Sequence, residues 1–433
     1  RSMEMNEKLI GEINAYIDSE KDNLLGMLKR YINFKSINTE QLLEGEKTEM
    51  VECQKWIAGE MEKTGFFDTV DYYELEKGRP NVAAVKKGTG GGPSLMFNAH
   101  TDVVTVSEVQ KREWTELSPF DGSVKDGKVW GRGATDMKSG GTAMFYGAKA
   151  IQALGLKLKG DLMLTYVDGE ESGRAEIGIW SLLDKGYKAD FAVMCEPTSL
   201  RVFNKSKGEI YYDIKVVGSS THICNRYLTL WPQADGQVGV NAIEKMVKII
   251  NAFSELERSW GLDFRDKDLG PGNTTLAISL IRGGESFSAQ AGECELSIAS
   301  MFDPNLTVQF MKDQIEGTIK FVAEHDYWMK DHMPTYSIPF PPKVPLNVPE
   351  NDPGVQAVKS SVEQISGEKA CITPSPFVGD ANYMFEKGGK SIYWGPGLIS
   401  LAHGTNEYVE VDEFIQAAKM YAATIVNYCG IAG

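Results

Sequence analysis

Histidine is scarce in this chain: 433 residues contain five, His100, His222, His325, His332 and His403. Cysteine is also sparse. The six, Cys53, Cys195, Cys224, Cys294, Cys371 and Cys429, are scattered and form no CxxC pair. That spacing excludes a disulfide framework and a zinc ribbon, and it reads as reduced thiols in a cytoplasmic protein. Basic residues are outnumbered, 45 against 60 acidic, for a net charge of −15, and there is no Lys/Arg-rich run. Nucleic acid is therefore an unfitting partner, and an anionic membrane surface is disfavoured. No apolar run is long enough to span a bilayer and no signal peptide is visible, so no membrane association is expected. Arg1 and Ser2 ahead of Met3 read as a cloning remnant, with the natural start at Met3 or Met5. There is no internal repeat and no long low-complexity tract.

What is present is ordinary globular composition, 42% hydrophobic and 24% charged, in a chain too long for one compact core. Two domains are the expectation. Helical spacing marks 6–35 and 49–65, and Val82–Val85 reads as a strand followed by a hairpin-like turn from Gly88 to Gly92. The short apolar run Leu95-Met-Phe97 reads as a buried strand that ends in His100 and Asp102. Two more runs repeat the pattern. Leu162–Val167 ends in Asp168-Gly-Glu170-Glu171, and Phe191–Cys195 ends in Glu196 before Pro197. Between them Gly131-Arg-Gly-Ala-Thr-Asp136-Met-Lys-Ser-Gly140 opens a helix expected over Thr142–Leu156. This is the strand–helix–strand alternation of a mostly parallel α/β sheet flanked by helices.

Ligands gather at the carboxyl ends of strands in such sheets. A lone His at a strand end is most often structural, and Glu-Glu by itself is most often a solvated turn. Four acidic or imidazole groups after apolar runs, with His403 in a distant loop, instead make the donor set of a metal site on a sheet rim. The glycines around Asp136 let backbone approach a metal closely. The alternative for that loop, a phosphate cradle, lacks the GxxxxGK[ST] order and suits an acidic protein poorly. Glu170 and Glu171 are adjacent, so their side chains diverge: one can hold metal while the other faces the substrate's water. Histidine and carboxylate ligands suit zinc, cobalt or manganese. The irregular segment 105–130 is long enough to be functional.

From about Gly208 the texture changes. Ile210–Val217 alternates apolar and polar residues as a half-exposed strand does. Asn241-Ala-Ile-Glu244 resembles a capping box ahead of a helix. Strands near Thr274–Leu280 and Glu295–Ala299 and a helix over Leu306–Ala323 complete a β-α-β-β-α order, ferredoxin-like if a final strand follows. The proline-rich stretch from Pro339 to Pro349 marks the return. The first domain is thus expected over 1–207 and 334–433, with 208–333 inserted.

Together, His100-Thr-Asp102, Gly131–Lys138, Glu170-Glu171-Ser-Gly, Cys195-Glu196-Pro-Thr and His403 resemble the zinc-dependent family of acetylornithine deacetylase, succinyl-diaminopimelate desuccinylase, aminoacylase and glutamate carboxypeptidase. The similarity spans nearly the whole chain in order. It implies two divalent ions, zinc first, with cobalt or manganese as substitutes. By that resemblance His100, Asp136 and Glu196 hold one ion, and Asp136, Glu171 and His403 the other. Asp102 orients His100, Glu170 is the general base, and a cis peptide follows Asp136. Gly218-Ser-Ser-Thr-His222 and Val240-Asn241 resemble the family's dimerisation lid. The resemblance therefore implies a homodimer, in which His222 steadies the oxyanion.

Two departures stand out. Met301 occupies the position where many members carry a substrate-binding Arg, with Lys207 and Arg226 as replacement cations. The segment 223–239, with Tyr227, Leu230 and Trp231, is longer than expected. The activity implied is hydrolysis of a small N-acylated amino acid or related amide. A dipeptidase or carboxypeptidase of the same chemistry is the alternative, and a non-catalytic ligand-binding relative is the alternative from another class.

Overall fold

The computed structural model describes residues 2–230 and 239–433. The chain divides into two compact units: Arg1–Lys205 with Leu346–Ser375 and Gly379–Gly433, and Ser206–Pro345 with Pro376–Val378. Among the described residues no helix is long and apolar enough to cross a membrane.

The first unit is built on a nine-stranded mixed sheet. At its centre Leu162–Val167, Leu95–His100, Phe191–Met194 and Ser391–Tyr393 lie side by side and parallel. Every residue of Leu95–His100 and of Leu162–Val167 is buried, which is why these strands read as unbroken apolar runs rather than alternating ones. Parallel strands end on the same side, so His100, Asp168 and Glu196 follow their strands onto one rim. The hairpin expected around Gly88–Gly92 does not form. Arg79–Lys86 pairs with Leu162–Val167, and that strand separates it from Leu95–His100. Gly88 and Gly92 serve a close approach instead: a Cβ at Gly92 would lie 2.2 Å from the Cys429 carbonyl oxygen.

The helix Ser139–Ala153 starts three residues earlier than the apolar spacing suggests. Its first turn is pressed against the strand rim, and a Cβ at Gly140 would stand 2.0 Å from the Cys195 carbonyl oxygen. Only glycine permits that contact. The C-terminal helix Val411–Cys429, itself largely buried, packs on the same helix. The segment 105–130 has more order than its sequence suggests. A helix, Glu108–Glu113, is closed by a Ser107–Gln110 capping box. A hairpin, Val124–Lys125 with Lys128–Trp130, pairs with Tyr408–Glu410.

The second unit is a four-stranded antiparallel sheet with two helices, Ala242–Asp263 and Val308–Glu324. Its strands, Gly208–Val217, Thr275–Gly283, Glu293–Phe302 and Thr335–Ser337, run in chain order β-α-β-β-α-β, as in a ferredoxin-like split. Ile210, Tyr212, Ile214 and Val216 alternate inward and pack with Met246, Phe253, Ile315 and Ile319 from the helices. The return to the first unit falls at Pro345/Leu346, not at 333/334, because Thr335–Ser337 adds a strand beside Gly208–Val217. Asn241 caps its helix through Ile243 N–H and Glu244 N–H. The capping box is not completed, since Glu244 pairs with Arg226 at 2.7 Å. Tyr227 is exposed on the short Arg226–Leu230 helix, and Trp231 lies outside the described residues.

Candidate dinuclear metal centre

Five side chains meet at the rim of the first unit. His100 Nε2 lies 3.1 Å from Asp136 Oδ1 and 3.7 Å from Glu196 Oε1. His403 Nε2 lies 3.2 Å from Asp136 Oδ2 and 2.9 Å from Glu171 Oε2. Asp136 therefore addresses one imidazole with each oxygen, and these four contacts divide the five residues into two sets that share only Asp136. Ligand atoms of His100, Asp136 and Glu171 fall within 4.8 Å of one another. The peptide between Asp136 and Met137 is cis.

The electrostatics show what the site requires. Three carboxylates share a largely buried space with two imidazoles. Burial, then the Asp136 charge, pushes Glu171 up to about 8. Burial likewise raises Glu196 well above the carboxylate range. Burial alone would lower the His100 imidazole, yet the Glu196 charge, with Asp102 and Asp136, holds it well above its ordinary value. Hydrogen bonds to Asp136 and Glu171 push His403 up to about 11. Burial would also raise Asp136, but the two imidazoles keep it below the usual range. So many buried acids are tolerable only beside positive charge, and here protons on the imidazoles supply it.

Divalent ions fit the same place, and one buried atom points the same way. Asp102 Oδ1 has no hydrogen-bond partner and sits 3.5 Å from His100 Nδ1. A His100 that gives Nε2 to a metal must carry its proton on Nδ1, which lies 2.8 Å from the Asp102 backbone carbonyl oxygen and 3.5 Å from that carboxylate oxygen.

A layer of polar contacts holds these residues. Glu407 is completely buried and accepts from the backbone N–H groups of Thr135 and Asp136 at 3.0 and 3.1 Å. Arg132 pairs with Glu407 at 2.6 Å and reaches the His403 carbonyl at 3.3 Å. Gln110, from the ordered part of the 105–130 segment, donates to that carbonyl at 2.7 Å. His403 itself is held at a positive φ of 60°. Asp168 pairs with buried Arg79, Nε to Oδ2 at 2.5 Å.

Glu170 and Glu171 diverge, as adjacent residues must. Glu171 meets His403, whereas Glu170 Oε1 lies against Gly379, 2.7 Å from where a Cβ would be. Met301, Lys207, Arg226 and His222 belong to the second unit. His222 is exposed, and its Nδ1 accepts from Cys224 N–H at 3.1 Å. Arg226 is engaged with Glu244. Sequence reasoning assigned no role to Gln110, Glu407 or Asn38. Glu407 sits in the His403 motif and could have been suspected. Nothing local marks Asn38 or Gln110 for this bracing, because the partners they brace lie 64 and 293 residues away.

The rim of a mostly parallel sheet carrying two histidines and three carboxylates defines a metallohydrolase type of centre. The chain belongs to peptidase family M20/M25/M40, whose model matches residues 96–427. It is an amidohydrolase of that family. It is 30% identical over 436 residues to the N-formyl-4-amino-5-aminomethyl-2-methylpyrimidine deformylase of Bacillus subtilis, covering 98% of each chain. It is 25% identical over 375 residues to an acetylornithine deacetylase of Buchnera aphidicola, covering 84% of this chain and 90% of the other. An M20 family metallo-carboxypeptidase from Sulfolobus solfataricus superimposes with a TM-score of 0.72. That match covers 94% of this chain and 99% of the other at 18% identity, a likeness of fold.

Proposed function

We propose that this protein hydrolyses the amide of a small N-acylated amine with the help of two divalent ions, zinc first. The observation that carries the reading is the split address of Asp136, one oxygen toward His100 and the other toward His403. His100, Asp136 and Glu196 would hold one ion, and Asp136, Glu171 and His403 the other. The ions, when bound, lower the pKa of water and polarise the amide carbonyl.

The chain's own groups do the rest. By the family resemblance, Glu170, whose side chain diverges from that of Glu171, takes a proton from the attacking water. It then returns that proton to the leaving nitrogen, so that water adds across the C–N bond and yields a carboxylic acid and an amine, which leave at neutral pH as carboxylate and ammonium. Asp102 keeps His100 in the Nδ1–H tautomer. The Cys224 N–H occupies His222 Nδ1, which leaves the proton on Nε2. That is the donor an oxyanion needs, and we assign His222 this role.

Met301 supports a substrate class. By the family resemblance, this uncharged side chain takes the position from which an Arg would pair with a substrate carboxylate. The groups named in the deformylase relative's substrate include no carboxylate. A short N-acyl group, formyl first, on an aminomethyl heterocycle therefore fits better than an N-acyl amino acid.

The test is amine release by the zinc-loaded protein from N-formyl aminomethylpyrimidine, N-acetylornithine and a set of dipeptides. Release from the formamide alone is the expected result. Release confined to dipeptides would replace this reading with a peptidase. Glu170→Ala should keep both ions and lose turnover by about 10²–10⁴-fold. A variant as active as the parent would remove Glu170 from the mechanism.

A further inference from the structure

Asn38 lies outside the stretch that matches the family model and far from every metal-ligand motif in sequence. It is completely buried, just ahead of the short 3-10 turn Thr39–Gln41. Its Oδ1 accepts from Glu40 N–H at 3.1 Å. Its Nδ2 donates to Asp102 Oδ2 at 2.7 Å and to Ser172 Oγ at 3.2 Å. The amide orientation is fixed by its partners, because a carboxylate oxygen can only accept and a backbone N–H can only donate.

Asp102 Oδ2 accepts a second bond, from Glu171 N–H at 3.0 Å. One carboxylate oxygen thus ties together the turn that presents Glu171 and the strand end that presents His100. Asp102 in turn meets His100 Nδ1 through its backbone carbonyl at 2.8 Å, with Oδ1 3.5 Å from the same nitrogen. Three residues after Asn38, Gln41 Nε2 donates to the Glu171 carbonyl at 2.8 Å. The whole segment is stitched to the strand end by Ser36 Oγ to the Thr101 carbonyl at 2.7 Å and by Asn38 N–H to the Val103 carbonyl at 2.9 Å.

We propose that Asn38, seconded by Gln41, is a positioning residue that sets the spacing of the two ion sites. Asn38 acts through Asp102 on His100 and through the shared oxygen on Glu171, and Gln41 acts on Glu171 alone. The proposal rests on the two-ion reading above and adds to it a determinant outside the ligand motifs. A residue that orients a metal ligand typically changes metal affinity by about 10–100-fold when removed.

The test separates this role from a structural one. Asn38→Ser keeps an oxygen to cap the 3-10 turn but is too short to donate to Asp102. Its zinc affinity, read by competition with a chromophoric chelator, should fall about 10–100-fold. The melting temperature of the metal-free protein should stay close to the parent's, and the visible spectrum of the cobalt-loaded protein should change. Gln41→Met, at a partly exposed position that does not threaten folding, should weaken one of the two zinc ions and spare the other. Unchanged zinc affinity in both variants, with two ions bound by the parent, would overturn the role of Asn38 and leave the two-ion reading intact. A parent that binds no second ion would overturn both.

Discussion

His100, His403 and Glu171 make a prediction at the scale of the residue. In the metal-free protein burial and the Asp136 charge push Glu171 up to about 8, hydrogen bonds to Asp136 and Glu171 push His403 up to about 11, and the Glu196 charge raises His100 above its ordinary value, so protons compete with metal at all three. Ligation needs their deprotonated forms. Zinc binding at pH 7 should therefore release about two to three protons per molecule, and apparent affinity should fall as pH drops. The sign follows from competition: lower pH fills the nitrogens and the carboxylate with protons and opposes the metal. Calorimetry of zinc binding in buffers of different ionisation enthalpy reads the number directly. No proton release would mean that these groups do not ligate. The sequence already named all five ligand candidates: His100, Glu171 and Glu196 follow apolar runs, Asp136 lies in a glycine-rich loop and His403 in a distant loop, and the resemblance groups them. It was silent on Asn38, Gln110 and the bracing by Glu407, since each works through partners far along the chain.

At the scale of the element, the helix Ser139–Ala153 depends on contact with the strand that delivers Glu196. The two lie so close at Gly140 that an added methyl would collide with the Cys195 backbone, which cannot rotate away as a side chain tip could. Gly140→Ala should therefore cost about 1–3 kcal/mol in denaturant unfolding and weaken zinc binding by displacing Glu196. A variant as stable as the parent would show that the helix can shift freely. The same element shows the limit of periodicity. Apolar spacing places its start at Thr142, but Ser139, Gly140 and Gly141 are already helical and buried. Small residues give no hydrophobic signal, although they permit the closest packing. The hairpin expected at Gly88–Gly92 failed for a related reason: Gly88 and Gly92, which read as part of a turn, are there for close backbone approach.

At the scale of the whole molecule, the second unit ends in an edge strand. Among the described residues Thr275–Gly283 pairs on one side only, and Ile278, Leu280 and Ile281 are exposed along it. A long apolar edge invites pairing with another strand. We propose a homodimer formed there, with His222 acting across it. Equilibrium sedimentation should give a dimer, and Ile278→Lys with Leu280→Lys should give a monomer. If His222 acts across the dimer, that monomer should lose kcat about as much as His222→Ala does, on the order of 10²–10³-fold. A fully active monomer would sink both the dimer and the role of His222.

Local sequence determined the class of this protein. Buried parallel strands must be apolar throughout and end together, so the residues after them declare themselves as a rim, and the resemblance then follows from those residues. The alternation in Ile210–Val217 likewise declared a second sheet with one covered face. Tertiary structure alone decided which oxygen of Asp136 meets which imidazole and that Glu170 turns away from Glu171. It also decided that Asn38 reaches Asp102 and that Thr335–Ser337 belongs to the second unit. The reason is physical. Period and composition are set by near neighbours along the chain, whereas hydrogen bonds to a single carboxylate oxygen depend on where distant segments come to rest.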